Sequence, residues 1–383
     1  MGNFRELFKN ADKVLLILAV CFAAVSLLML ESISYNGSLV LSRDVIVQGA
    51  AYILGFVLLF LILLIDYRVF QNFGKALYII SLVILLSVYI PGLGYEQYGS
   101  RAWIHISTMT FQPSEIVKIT FTLLMARYFT RHRGELDSFK SIILAALYAS
   151  PFILIVVKED LGSALVFCAI WIFMLFYAGI DYRAFIKFIA VFLLSLPVVY
   201  KLMASYQKER IDAFLHPDNL SLQGNWQVYQ SKIAIGSGGF TGKGLFNGTQ
   251  KELDYLPVQK SDFMFSVIVE ELGFIGGAVI LFMFALFLYR IAKIIYDARD
   301  LYGALIAIGF IGMFLFQIFE NIAMAMGIMP VTGVTLPFIS YGGSSVLANL
   351  IALGFIISVG MIRAAVPLAV NILPPGTPTT SLT

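Results

Sequence analysis

Apolar stretches long enough to cross a lipid bilayer recur along almost the whole chain of 383 residues. A helix needs about 20 apolar residues to span the hydrocarbon core. Only 13% of the residues are charged, against about 25% in an average soluble domain. The sequence therefore predicts an all-α, polytopic integral membrane protein with about ten transmembrane helices and one large extracytoplasmic loop. The predicted spans cover residues 14–31, 46–65, 76–92, 112–130, 141–157, 161–179, 184–202, 263–289, 302–325 and 344–364.

Lysine and arginine residues collect in alternate connections between these spans. Residues 127–140 hold four of them and residues 290–299 hold three, whereas the short connections on the other side hold only Arg43, Arg101 and Lys158. Connections rich in lysine and arginine remain on the cytoplasmic side of a membrane. We therefore expect both termini in the cytoplasm.

The two ends of the chain differ in character. No cleavage site of small residues follows the first apolar run, so we interpret that run as a membrane helix rather than a signal peptide. The residues after Val366 include four prolines and several threonines, which predicts a disordered cytoplasmic tail at 367–383. Residues 1–366 then form a single transmembrane domain.

The connection of residues 203–262 is long and polar, and it contains six glycines between positions 236 and 248. Connections of this length in compact proteins are usually functional or disordered. The apolar spacing from Trp226 to Ile235 predicts a short interfacial helix. We therefore expect a partly ordered lid on the outer face.

Ionisable residues inside the predicted spans are few, and such residues are costly in lipid and often functional. Glu115 and Lys118 are three residues apart, which places them on one helical face. They either form an ion pair that satisfies itself within the bundle or contribute charge to a polar cavity. Glu270 and Glu271 cannot both face lipid. At least one should bond to another helix, and this structural role is as well supported as a catalytic one.

Two aspartates stand where a predicted span begins. Asp262 lies at the outer end of the eighth span, after Ser261, and Asp160 lies in the short turn before the sixth. Either could simply cap the helix that follows it, because a carboxylate accepts hydrogen bonds from the first backbone N–H groups. An outward-facing carboxylate could equally serve chemistry.

The loop between the third and fourth spans contains Arg101 and Trp103. The guanidinium group of an arginine donates two parallel hydrogen bonds and therefore suits a phosphate. Trp103, taken alone, is an ordinary anchor at the membrane interface.

Residues 327–345 are too polar and too rich in glycine and proline for a simple span. Non-helical backbone at membrane depth occurs only where protein or a watery cavity surrounds it. We interpret the segment as a re-entrant loop that shapes a cavity, which suits either a transporter or a membrane enzyme.

Seven motifs in this order closely resemble those of the shape, elongation, division and sporulation family. They span about residues 95–345, and together they are far more specific than any one alone. They are Gly99-Ser-Arg-Ala-Trp103, Gln112-Pro-Ser-Glu-Ile-Val-Lys118, Glu159-Asp-Leu-Gly162, Lys232-Ile-Ala-Ile-Gly-Ser-Gly-Gly239, Leu256-Pro through Ser261-Asp-Phe263, Glu270-Glu-Leu-Gly273 and Leu336-Pro-Phe-Ile-Ser-Tyr-Gly-Gly-Ser-Ser345.

The resemblance implies a peptidoglycan glycosyltransferase of the bacterial inner membrane, with its active site on the extracytoplasmic side. Such an enzyme polymerises lipid II and releases undecaprenyl pyrophosphate. The implied partners are a class B penicillin-binding protein, which is a transpeptidase, and other proteins of the elongation machinery. No basic cluster in the sequence suggests nucleic acid as a partner.

The resemblance also implies the roles of particular residues. Asp262 matches the essential aspartate of the family, and we expect it to act as the general base. Arg101, Lys118 and Lys243 are the candidates for binding pyrophosphate, and Glu115 for orienting one of these cations. The remaining substrate-binding candidates are Trp103, Asp160, Glu270 and Ser340. A divalent cation, Mg²⁺ or Mn²⁺, is expected, but the sequence shows no metal-ligand spacing that would assign its ligands.

Two features qualify the resemblance. Family members often have Leu-Pro-Glu-x-His-Thr-Asp before the eighth span, whereas this chain has Leu256-Pro-Val-Gln-Lys-Ser-Asp262, so neither the glutamate nor the histidine is required for chemistry. The short N-terminus and Met329-Pro-Val-Thr-Gly333 are more similar to the elongation members than to the division paralogue, and a sporulation role stays open.

Two functions of other classes also remain open. A lipid II flippase would need a polar cavity with access from both faces, lined by the charged residues of the fourth and eighth spans. A noncatalytic scaffold for a transpeptidase would need its partner surface and would tolerate the loss of Asp262.

Overall fold

The computed structural model describes residues 11–35, 41–97, 100–106, 109–136, 138–249 and 258–364. The protein is mainly helical, with 74% helix and 3% strand. The helical membrane fold predicted from the sequence is thus confirmed. The predicted disordered tail, residues 367–383, lies outside the described residues.

Ten helices coincide with the ten predicted spans. They are α1 (Lys13–Ser34), α2 (Arg43–Leu63), α3 (Gly74–Leu86), α4 (Pro113–Arg131), α5 (Phe139–Glu159), α6 (Leu161–Tyr177), α7 (Tyr182–Leu202), α10 (Met264–Tyr296), α11 (Leu301–Ala325) and α12 (Gly343–Ala364). Within the described residues, α1, α2, α5, α10, α11 and α12 are long and apolar enough to cross a membrane, and α3 and α6 are shorter apolar helices.

The centre of the bundle is formed by α11 and α12. In the most apolar stretch of each helix, 78% of the α11 residues and 72% of the α12 residues are buried, against 33% for α2 and 28% for α5. The outer helices instead expose large apolar side chains such as Ile53, Leu194 and Phe282. This inside-out pattern is expected when lipid, rather than water, contacts the outer surface.

A small antiparallel sheet occupies the connection between α3 and α4, where no strand is predicted. Strands β1 (Gly94–Gln97), β2 (Ser100–Ile106) and β3 (Met109–Phe111) follow one another in the order β1-β2-β3. Tyr95 pairs with Trp103 across the first ladder and His105 pairs with Thr110 across the second. The sheet places the predicted loop residues on a rigid platform.

The long connection after α7 contains two helices, α8 (Ser205–Leu215) and α9 (Gln223–Ser237). The helix predicted from Trp226 to Ile235 lies within α9 and is confirmed. The Gln207 side chain donates a hydrogen bond to the Val157 carbonyl oxygen at the end of α5, at 2.7 Å. The connection is therefore docked on the bundle and is not a free tether.

Helix α10 is broken at Gly273, whose backbone angles are φ 67° and ψ −167°. Residues 239–244 fill the break with backbone hydrogen bonds. The N–H groups of Phe274 and Ile275 donate to the carbonyl oxygens of Gly239 and Phe240, and those of Lys243 and Gly244 donate to the carbonyl oxygens of Glu270 and Glu271. The break thus leaves these polar groups satisfied, as an apolar surrounding requires.

The segment between α11 and α12 is non-helical from about residue 327 to residue 342. It is nevertheless deep in the protein, since Thr332, Leu336 and Ser340 are at most 3% exposed. The prediction of irregular backbone surrounded by protein is confirmed here.

Candidate functional site

Asp262 lies in a tight turn immediately before α10. The backbone N–H groups of Ser261 and Asp262 both donate to the carbonyl oxygen of Val258, at 3.2 and 3.1 Å. The side chain of Asn321 on α11 donates to the Asp262 carbonyl oxygen at 2.9 Å. These bonds fix the backbone that carries the carboxylate.

Ser340, in the non-helical segment between α11 and α12, forms a hydrogen bond to the same turn. Its hydroxyl group donates to the Ser261 carbonyl oxygen and accepts a bond from the Leu336 N–H at 3.0 Å. The neighbouring Tyr341 N–H donates to the Lys260 carbonyl oxygen at 2.8 Å. The structure therefore gives Ser340 a positioning role beside Asp262, and its predicted contact with substrate stays a prediction.

The carboxylate of Asp262 is not used as a helix cap. The residue at the cap position of α10 is Phe263, and no side chain bonds to the first N–H groups there. Asp262 Oδ1 instead accepts a hydrogen bond from Ser261 Oγ at 2.7 Å. Its Oδ2 faces Gly333, 3.7 Å from the position that a Cβ atom would take. The capping alternative is thus wrong for Asp262.

The surroundings of Asp262 raise the pKa of its carboxyl group above the ordinary value for aspartate. Burial is the main cause, and the negative charge of Asp160 adds to it. The hydrogen bond from Ser261 and the positive charge of Arg210 act in the opposite direction. Because a carboxylate with a raised pKa holds a proton more tightly, it is a stronger general base than an exposed aspartate.

Arg210 on α8 belongs to this site, although it was not among the predicted residues. Its guanidinium Nη1 donates to the Thr332 carbonyl oxygen at 3.0 Å, next to the glycine that faces Asp262. The local sequence Lys208-Glu-Arg-Ile-Asp212 carries charges of both signs. No periodic signal in it distinguishes the inward-facing cation from its solvated neighbours.

Asp160 caps α6, as one of the two alternatives for it predicts. Its carboxylate accepts bonds from the Ser163 N–H at 2.9 Å and the Ser163 hydroxyl at 2.7 Å. It also accepts a bond from Gln112 Nε2 at 2.8 Å, which ties α6 to the start of α4. Since its charge acts on the Asp262 pKa, Asp160 also forms part of the wall of the site.

Glu320 is a second residue that the prediction missed. It is fully buried on α11, and its Oε1 accepts a bond from Thr332 Oγ1 at 2.9 Å. Its Oε2 has no hydrogen-bond partner among the described residues. The adjacent Asn321 donates to the Val334 carbonyl oxygen at 2.8 Å. The end of α11 thus holds the non-helical residues 332–334 beside Asp262. The rule that singled out Glu115, an ionisable group within a span, applies equally to Glu320.

Glu115 and Lys118 form an ion pair on α4. Lys118 Nζ and Glu115 Oε1 are 2.7 Å apart, and their side chains are only 1% and 7% exposed. The spacing of three residues predicts this pair as one alternative, but the buried Glu115 Oε2 has no hydrogen-bond partner among the described residues, so the pair does not satisfy itself completely. A direct contact of either residue with substrate stays a prediction.

Lys243 and Glu270 form a second cluster, within the break of α10. Lys243 Nζ lies 2.7 Å from Glu270 Oε1 and 2.6 Å from Thr249 Oγ1. The hydroxyl of Ser32 on α1 donates to the neighbouring Glu271 at 2.7 Å. Glu270 is eight residues beyond Asp262, or about 12 Å along a helix axis. The structural role predicted for this glutamate pair is therefore observed.

Arg101 and Trp103 lie on β2, apart from the contacts around Asp262. The exposed Arg101 Nε is 3.3 Å from Glu96 Oε2 on β1, and its backbone N–H donates to Glu159 Oε2 at 2.8 Å. Trp103 is half-buried opposite Tyr95. Their predicted contact with substrate stays a prediction.

The described residues contain no group of three or more histidine, cysteine, aspartate or glutamate side chains that could hold a metal ion. The geometry of the described residues assigns no ligands to the expected divalent cation.

Known proteins resemble this chain over nearly its whole length. The sequence profile of the cell cycle protein family that includes FtsW, RodA and SpoVE matches residues 12–364. The stage V sporulation protein E of Bacillus subtilis (strain 168) is 36% identical, covering 91% of this chain and 97% of that protein. The peptidoglycan glycosyltransferase MrdB of Escherichia coli (strain K12) is 31% identical, covering 91% and 93%. The probable peptidoglycan glycosyltransferase FtsW of Trichlorobacter lovleyi is 34% identical, covering 91% and 92%.

Solved structures agree with this relationship. The crystal structure of the rod shape determining protein RodA of Thermus thermophilus matches with a TM-score of 0.69 and 28% identity, covering 92% of this chain and 97% of that one. A chain from a peptidoglycan synthase complex, described as coordinating polymerization and crosslinking, matches with a TM-score of 0.77 and 31% identity, covering 93% and 99%. This protein belongs to the family of FtsW, RodA and SpoVE, the shape, elongation, division and sporulation family.

Proposed function

We propose that this protein is a peptidoglycan glycosyltransferase that polymerises lipid II into glycan strands. The observation that carries the proposal is the carboxylate of Asp262, held in a rigid turn, free of helix capping and partly shielded from water. The names of MrdB and FtsW, which both describe peptidoglycan glycosyltransferases, support the same activity.

The proposed reaction joins two lipid-linked sugars by a glycosidic bond. The oxygen of an acceptor hydroxyl attacks the anomeric carbon of the donor, and the bond from that carbon to the undecaprenyl pyrophosphate breaks with its electron pair. Asp262 takes the hydroxyl proton as general base, a role that contributes about 10²–10⁴-fold to a rate. Direct attack inverts the anomeric centre.

The site faces the extracytoplasmic side of the inner membrane in this proposal, and both termini are cytoplasmic. The asymmetry of lysine and arginine between alternate connections supports that orientation. The apolar tails of both substrates would remain in the bilayer and enter between helices, since removing them from lipid is unfavourable.

We further propose that a divalent cation assists the reaction. Mg²⁺ is commonly held by one or two carboxylates together with the phosphates of a substrate, so the missing cluster of protein ligands is compatible with a cation that arrives with the pyrophosphate. When bound, it would neutralise charge on the leaving group. No side chain is assigned as its ligand.

The proposed partner is a class B penicillin-binding protein with transpeptidase activity. The matching chain from a synthase complex that coordinates polymerization and crosslinking supports this partnership. We also propose a role in cell elongation with other proteins of that machinery, supported by Met329-Pro-Val-Thr-Gly333 and by the likeness to RodA of Thermus thermophilus.

A comparison of Asp262→Ala and Asp262→Asn with the wild type tests the proposed activity. Each protein would be purified with its transpeptidase partner, given labelled lipid II with Mg²⁺, and its glycan products separated on a gel. We expect the wild type to make polymer and both variants to lose about 10²–10⁴-fold in rate. Asp218→Ala, at an exposed position between α8 and α9, is the matched control and should polymerise normally.

Equal polymer from all four proteins would remove Asp262 from the mechanism. Wild type that makes no polymer but moves lipid II across vesicle membranes would instead identify a flippase. Thermal unfolding of each variant separates a chemical defect from a folding defect.

A further inference from the structure

The three cations predicted to bind pyrophosphate each have a carboxylate partner already. The nitrogen–oxygen distances are 2.7 Å for Lys118–Glu115, 2.7 Å for Lys243–Glu270 and 3.3 Å for Arg101–Glu96. An ion pair has little net charge, so it attracts an incoming anion less than a lone cation does. The positive charge for the leaving group must come largely from elsewhere.

A groove lies between α8, α9 and the start of the non-helical segment. Arg210 and Lys232 are its charged lining residues, and no aspartate or glutamate lines it. In the part of the chain that the structure describes, neither cation forms an ion pair. The groove lining therefore carries two positive charges and no negative one, and the charge of Arg210 also acts on Asp262 outside the lining.

The two cations are arranged differently. Arg210 uses Nη1 for the Thr332 carbonyl oxygen, and its remaining N–H groups are available to a second acceptor. Lys232 Nζ lies 2.6 Å from the position that a Cβ atom would take at Gly327. Gly327 has a φ of +73°, so its lack of a side chain both permits this backbone conformation and makes room for the ammonium group.

The other walls of the groove are mostly apolar. They include Phe214, Val228, Met329 and Val331, with Asn225 and Tyr229 as polar groups. A mostly apolar groove with two cations suits an amphiphile, which has a long apolar part and a compact anion at one end. Because Arg210 donates to the Thr332 carbonyl oxygen, next to the Gly333 that faces Asp262, an anion bound to Arg210 would lie near the proposed general base.

We propose that this groove binds the pyrophosphate and the first isoprenyl units of the lipid-linked donor, with Arg210 and Lys232 contacting the phosphates. This assignment rests on the proposed glycosyltransferase function. The departing pyrophosphate takes the electron pair of the broken carbon–oxygen bond, and the two cations stabilise its growing charge. Arg210 and Lys232 thus take the role predicted for Arg101, Lys118 and Lys243.

Lys232→Ala tests the assignment most cleanly, because Lys232 does not hold the Thr332 backbone as Arg210 does. We would measure binding of undecaprenyl pyrophosphate to the protein–partner complex in nanodiscs, and separately the KM for lipid II. We expect the dissociation constant for undecaprenyl pyrophosphate and the KM for lipid II each to rise about tenfold, the effect of losing one charge-assisted hydrogen bond. Lys232→Arg should restore most of both. Lys208→Ala is the control and should match the wild type, because Lys208 does not line the groove and its Nζ donates to the Lys201 carbonyl oxygen.

The two measurements separate this proposal from the proposed function. If the wild type makes no glycan but binds undecaprenyl pyrophosphate through Lys232, the proposed glycosyltransferase function is wrong and the groove is still a pyrophosphate site. If the wild type makes glycan and Lys232→Ala changes neither the binding nor the KM, only the assignment of the groove as the pyrophosphate site is wrong. Displacement of the probe by phosphatidylglycerol at equal concentration would also overturn it, because the groove would then bind any anionic lipid.

Discussion

Asp262 is influenced by three neighbours that act on its pKa in different directions. The Asp160 charge raises that pKa together with burial, while Ser261 and Arg210 lower it. The turn before α10 therefore balances two needs of a general base, which must hold a proton firmly after taking it and yet be ionised beforehand. Each neighbour can be changed separately.

Ser261→Ala should move the acidic limb of the pH–rate profile to higher pH. The Ser261 hydroxyl stabilises the ionised carboxylate, so its loss raises the Asp262 pKa further and leaves less ionised base at a given acidic pH. Initial rates of lipid II polymerisation between about pH 4 and pH 8 would show the shift. The rate on the alkaline plateau, where Asp262 is ionised in both proteins, is the internal control. A limb that stays in place or moves to lower pH would contradict the assignment of Asp262 as the base.

At the scale of elements, the break in α10 joins the long connection to the membrane bundle. The hydrogen bonds lost by the helix at Gly273 are replaced by residues 239–244, and the ion pair of Lys243 with Glu270 lies beside them. Gly273 lies 11 residues after Asp262, or about three helical turns. The junction is formed by backbone as much as by side chains.

Gly273→Ala should destabilise the protein by about 1–3 kcal/mol or more, because its φ of 67° with ψ of −167° is a conformation that only glycine adopts readily. A Cβ atom there would also lie 2.5 Å from the Phe240 carbonyl oxygen. The midpoint of thermal unfolding in detergent measures the effect. Gly49→Ala is the matched control, since Gly49 is helical and has nothing within 4 Å of its Cβ position. An unchanged midpoint for Gly273→Ala would show that the break is not needed for stability.

At the scale of the whole molecule, polar groups are enclosed and apolar groups face outward. The ion pair of Glu115 with Lys118 and the carboxylate of Glu320 are buried within the bundle. The helices around them present apolar side chains to their surroundings. This arrangement encloses charged groups in a protein whose sides are compatible with lipid.

Cysteine labelling tests the orientation of the molecule. Cys21 and Cys168 would first be replaced by alanine, and Ser221→Cys or Glu135→Cys then added at exposed positions. We expect a membrane-impermeant maleimide to label Ser221→Cys in right-side-out vesicles, because the proposed orientation places the long connection on the extracytoplasmic side. Glu135→Cys, in a connection rich in arginine and lysine, should react only in inside-out vesicles. The reverse pattern would invert the topology and place Asp262 in the cytoplasm.

Features that depend on local composition can be predicted from the amino-acid sequence alone. The ten spans coincide with helices because the thickness of a bilayer demands a long apolar run, which is visible in one dimension. The pairing of Glu115 with Lys118 and the helix cap at Asp160 follow in the same way, since they join residues only three positions apart. The motif that contains Asp262 nominated this residue as the base through its resemblance to a family, and that role stays a prediction.

Contacts between residues far apart in the sequence become visible only in the folded protein. Arg210 bonds to a carbonyl group 122 positions away, and Ser32 bonds to Glu271 across 239 positions. Such contacts depend on how helices pack, and neither charge nor spacing along the chain specifies them. For this reason the sequence nominated Arg101, Lys118 and Lys243 for pyrophosphate, whereas the folded chain neutralises those cations with carboxylates. It leaves the positive charge of Arg210 and Lys232 in one groove because α8 and α9 fold back beside Asp262.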